Sequence, residues 1–150
     1  MKPLNSGFCL TKLIFFVIIC ADSLNVFYMG KMKTVFIAHT ISGDIEANIK
    51  KVIQICKQLH LSGKIIPIFP SFVWRQYLGK DEISKNLAKK VAIEYFRRGM
   101  VDELWLYGRI LSDGMKEEII LALKYGIKVV VKNNAIRKDF TDFLATQSPV

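Results

Sequence analysis

Short β-rich runs alternate with stretches of helical periodicity along most of this chain, and that alternation restricts it to a parallel sheet flanked by helices. Thr34-Val35-Phe36-Ile37-Ala38 is the first run, and it stops at the polar loop His39 to Asp44, as a buried parallel strand feeding a ligand loop does. Lys64 to Phe69 is the second, closed by prolines; Asp102 to Tyr107 and Ile127 to Val131 are the third and fourth. The expected fold is α/β, a doubly wound Rossmann-like or flavodoxin-like parallel sheet of four to five strands.

The helices follow from spacing. Ile45, Ile49, Val52, Ile53, Cys56 and Leu59 recur at helical intervals, with Asp44 or Ser42 placed to cap the start and Ser62-Gly63 to end it. A long helix is predicted from Asp81 to about Arg98, with Ile83, Leu87, Val91, Ile93 and Phe96 as its apolar positions. Another runs from Met115 to Tyr125, with Ile119, Ala122 and Leu123 inward and Gly126 as its terminator, and a weak one from Ile136 to Leu144. Pro70 to Asp81 is read as an aromatic loop through Phe72, Trp74 and Tyr77. In such a sheet three loops converge beyond the carboxyl ends of the strands: His39 to Asp44, Pro70 to Asp81 and Gly108 to Gly114.

A chain of 150 residues with 51% hydrophobic content can bury one full core. The expected division is a leader over 1–31, one domain over 32–145 and a tail over 146–150. Within the leader, Lys2 and Lys12 precede the apolar run Leu13 to Ala21, which is short for a bilayer span but has the length of a signal-peptide core. Export or membrane attachment through residues 1–31 is one reading; a true start at Met29 or Met32, with a cytoplasmic protein, is the other. Cys9, Cys20 and Cys56 form no C-x-x-C pair, and His39 and His60 stand alone, so neither a disulfide framework nor a metal site is supported. The net charge of +9 suits anionic ligands such as nucleotides.

The segment Gly108-Arg109-Ile110-Leu111-Ser112-Asp113-Gly114-Met115-Lys116-Glu117-Glu118 places a glycine-containing turn at a helix start, where unpaired N–H groups favour an anion. An ordinary capped helix start has the same residues.

Ser112-x-Gly114-x-x-x-Glu118-x-x-x-Ala122, just after Asp102-Glu103-Leu104-Trp105, resembles the signature of the nucleoside 2-deoxyribosyltransferase and nucleotide N-glycosidase group within the SLOG superfamily. Ser42-Gly43-Asp44-Ile45-Glu46-Ala47-Asn48 brings it nearer to an uncharacterised bacterial and phage branch. The resemblance implies that Glu118 is a nucleophile attacking the anomeric carbon and that Glu94 assists the departing base. It implies substrate contacts from Ser112, Gly114, Ser42, Gly43, Asp44, Met115, Lys116 and His39, no cofactor and no metal. Serine at 112, where transferases of free nucleosides tend to carry aspartate, tilts it toward 5′-nucleotides. Phe36 departs from the pattern, standing where the enzymes have a tyrosine that holds the nucleophile, and Ser71 stands where the nearer branch has histidine.

Two functions follow. One is an N-glycosidase or deoxyribosyltransferase, expected to be homo-oligomeric; the other is a non-catalytic module binding a nucleotide-derived ligand as sensor or sequestering protein. Nucleic-acid binding through Lys89, Lys90, Arg97 and Arg98 is disfavoured, because the aromatics lie mostly in apolar strands.

Overall fold

A computed structural model describes residues 31–41, 43–78 and 81–147. Contacts divide the chain into two units, Met1–Lys31 and Met32–Val150, and the second holds the sheet. The signal-like run, Ser42 and the last three residues lie outside the described residues.

The sheet has four strands, β1 (Lys33–His39), β2 (Ile65–Ile68), β3 (Glu103–Tyr107) and β4 (Lys128–Val131), in the order β2-β1-β3-β4 with every pairing parallel. Pro67 is tolerated because β2 is an edge strand, where a missing N–H costs no ladder bond. Successive strand side chains point to opposite faces. Phe36, Ala38, Leu104 and Leu106 pack on one side with Phe96, Met115, Ile119 and Ile136; Val35, Ile37 and Trp105 pack on the other with Val52.

Five helices connect and cover these strands: α1 (Ile45–Leu61), α2 (Pro70–Tyr77), α3 (Glu82–Arg97), α4 (Asp113–Lys124) and α5 (Arg137–Gln147), the last after a 3-10 turn at Asn134–Ile136. Asp44 caps α1 by accepting from the Ala47 N–H, and Asp81 caps α3 by accepting from Ser84. Helix α5 carries the chain to Gln147, two residues past the expected domain end.

Three expectations are corrected. The segment after Pro70 is helical to Tyr77, because proline at the first helical position needs no N–H partner and Trp74 gives the turn a buried anchor. Of the apolar positions expected on α3, Phe96 is buried, but Ile83, Leu87 and Val91 are exposed and Ala92 is buried in their place. In α4, Leu123 likewise faces out while Met115, Ile119 and Ala122 face in.

Chain order and sheet order together define the site. Strand β2 is added on one side of β1 and β3 on the other, so the loops after β1 and β3 part in opposite directions and leave a crevice at their carboxyl ends. His39 and Tyr107 are register partners at that edge.

Candidate ligand site

Two cavities open at this crevice and share Ile41, Ser71, Gly114 and Glu118. The first, of about 500 Å³, runs between α2, α3 and α4; Trp74, Leu78, Ala88, Ala92 and Leu121 give it apolar walls, with Lys85 and Lys89 at its margin. The second, of about 730 Å³, lies at the N-terminus of α4 and is lined by His39, Thr40, Gly43, Ser112, Asp113 and Met115 among others.

Ser112 is the N-cap of α4, yet its side chain makes no capping hydrogen bond, so the hydroxyl is free for a ligand. A Cβ built on Gly114 would meet nothing within 4 Å, which leaves the helix backbone open to close approach. The β1 and β3 loops are tied together: Thr40 Oγ1 donates to the Ile110 carbonyl at 2.8 Å, and the His39 Nδ1–H donates to the Thr40 carbonyl at 2.6 Å. Gly108, at φ +102°, holds the β3 loop in a backbone conformation that side-chain-bearing residues rarely adopt.

Glu118 sits where the two cavities meet. Only partly open to solvent and next to the Glu117 carboxylate, its carboxyl is pushed up to about 8, chiefly by burial and then by that like charge. Among the described residues no side chain or backbone N–H donates to it, so nothing offsets the desolvation. Glu117 itself is paired with Lys89 at 2.9 Å. Phe36 supplies no donor: it is 1% exposed and packs on Phe96 with ring centroids 5.0 Å apart.

Several expected site residues are elsewhere. Glu94 lies one turn from the end of α3, and that helix returns the chain to the amino ends of the strands, away from the crevice. Its carboxylate accepts from Arg97 and Arg98 at 2.7–2.8 Å, which holds it down at about 2. Lys116 is bonded to Asp113 at 3.0 Å and lines neither cavity, and Asp44 is spent on its helix cap. Ser112, Gly114, Gly43, Met115, His39 and Glu118 are brought together as expected. Trp74, Leu78 and Leu121 were not anticipated; reading Pro70 as a helix start would have placed the first two. Among the described residues no group of three or more His, Cys, Asp or Glu is placed to hold a metal ion, and no helix is long and apolar enough to cross a membrane.

The family model for a domain of unknown function, DUF7768, matches residues 33–132, from the first residue of β1 to just past β4. The chain belongs to this family. The DUF7768 chain is also similar to a solved structure described as a conserved protein from Enterococcus faecalis V583, at 18% identity and a TM-score of 0.48, over 77% of this chain and 76% of that one. No curated protein matches it.

Proposed function

We propose that this DUF7768 domain binds a nucleotide or nucleoside at the carboxyl edge of its sheet and cleaves or exchanges the base–sugar bond through Glu118. The observation that carries the reading is the position of Glu118 at the junction of a mainly apolar cavity and one of mixed polar and apolar lining. A nucleotide has the same division: a flat, largely apolar base, a polar sugar phosphate, and the anomeric carbon between them. With the base between α2, α3 and α4 and the sugar toward Ser112 and Gly114, the bond to be broken lies beside the carboxyl group.

The chemistry needs no organic cofactor. A carboxylate attacks the anomeric carbon, the C–N bond breaks with its electron pair leaving on the base, and water or a second base then releases the glycosyl ester. Glu94 has no part in this scheme. The departing base takes its proton from solvent, because the Glu118 carboxylate is by then esterified to the sugar.

The second reading, a nucleotide-derived-ligand binding module without catalysis, rests on a specific observation: Glu118 has no donor to orient or ionise it, and Phe36 fills the place of the expected tyrosine. One experiment separates the two. The protein is incubated with a panel of nucleotides and nucleosides, and free base is measured. Base release by the wild type that is lost in Glu118→Ala, with ligand binding retained, supports the enzyme; binding without base release in either protein leaves the module. Absence of binding removes both.

A further inference from the structure

A third cavity, of about 850 Å³, opens between α1 and the turn after β3. It shares His39, Thr40 and Ile110 with the cavity at α4, so the tied loops form a ridge between the two. Its charge is one-sided. Lys50, Lys51 and Arg109 line it, and no aspartate or glutamate does. The other two cavities each contain carboxylates, Glu117 and Glu118 in one and Asp113 and Glu118 in the other.

The cations are unequal. Lys50 is engaged by Glu46 at 2.7 Å, whereas no ion pair among the described residues involves Lys51 or Arg109. Gln54 and Gln58 follow Lys51 by three and seven positions on α1, so their amides stand on the same helix face. Two cations from separate elements, neutral amide donors and no competing carboxylate favour a compact anion with several oxygens. A phosphate at the N-terminus of α4 would instead meet the Asp113 carboxylate.

We infer that this cavity binds the diphosphate of a small phosphorylated ligand, held by Lys51 and Arg109 with Gln54 and Gln58. The inference does not depend on catalysis at Glu118. A nucleic acid is disfavoured because the cavity offers one half-buried ring, Tyr107, and no run of aromatics on which successive bases could stack, while Lys132 Nζ covers the Trp105 ring at 3.5 Å. The diphosphate belongs either to the ligand whose base occupies the apolar cavity or to a separate phosphorylated effector.

The test is calorimetric titration of the full chain with inorganic pyrophosphate at low salt. One equivalent should bind, and Lys51→Gln combined with Arg109→Gln should weaken it by about tenfold or more, while Glu118→Gln should leave it unchanged. Gln54→Glu, which adds a carboxylate to an exposed helix position without removing a packing contact, should weaken it similarly. Pyrophosphate binding that neither variant changes, or no binding at all, overturns the inference. So does a short single-stranded oligonucleotide that binds more tightly than pyrophosphate and is lost in the same variants. Titration of AMP against the pyrophosphate-loaded protein assigns the source: mutual exclusion points to one extended ligand, simultaneous binding to a separate effector. Because the readout is binding, failure here leaves the base-release assay untouched.

Discussion

At the scale of single residues, Glu118 sets the pH behaviour. Its carboxyl titrates near 8 in the folded protein and near 4.5 when unfolded, so between those values the folded state keeps a proton the unfolded chain has released. Stability therefore falls as pH rises through that window, with the full cost present above 8. Glu118→Gln keeps the shape and removes the charge: above pH 8 it should unfold at higher urea concentration, by about 1–3 kcal/mol, and near pH 4 it should match the wild type. Equal stability at pH 9 would show that the carboxylate is well solvated. In a base-release assay the direction of the kcat/KM profile identifies the role, rising through about 8 if the carboxylate attacks and falling if the acid form donates. Gly114 gives an independent check on ligand approach. Alanine there has open space and a better helix propensity, so Gly114→Ala should leave the melting temperature equal or slightly higher while weakening nucleotide affinity.

At the scale of elements, α3 decides how the crevice is walled. Ala88 and Ala92 line the apolar cavity beside α4, Phe96 packs on Phe36 of the sheet, and Ile83, Leu87 and Val91 lie outside. Phe96→Ala should then cost about 3–5 kcal/mol, since that ring is 1% exposed, whereas Leu87→Ala, at 46% exposed, should cost under about 1 kcal/mol. Denaturant titration of the two variants checks this; a larger loss at Leu87 would restore the helix face expected from the sequence. That face was misread for a physical reason. Large apolar residues at helical spacing mark an amphipathic stripe, but the buried stripe is the neighbouring one, where Ala92 and Phe96 join the core.

At the scale of the whole molecule, the stripe Ile83, Leu87 and Val91 has a second consequence. Three exposed apolar side chains on successive turns form a candidate contact surface for a second copy of the chain. Sedimentation should show a dimer or larger assembly, reduced to monomer by Leu87→Lys with Val91→Lys; a monomeric wild type would remove that expectation.

The sequence by itself determined the strand and helix alternation, the parallel sheet, helix starts at Asp44 or Ser42 and at Asp81, and the grouping of Ser112, Gly114 and Glu118 at the start of one helix. These are local properties: period, capping and turn chemistry act over a few residues and survive into the fold. Tertiary structure alone decided that Glu94 lies at the amino edge of the sheet, away from Glu118, and that Pro70 to Tyr77 walls the apolar cavity, whereas the pairs of Glu94 with Arg97 and Arg98 and of Lys116 with Asp113 are local ones within single helices. It also decided that Lys51 and Arg109, 58 positions apart in the chain, line one cavity free of carboxylates. Such placements depend on which way each connection crosses the sheet and on how far each helix runs before it returns, and neither is written in the spacing of the residues concerned.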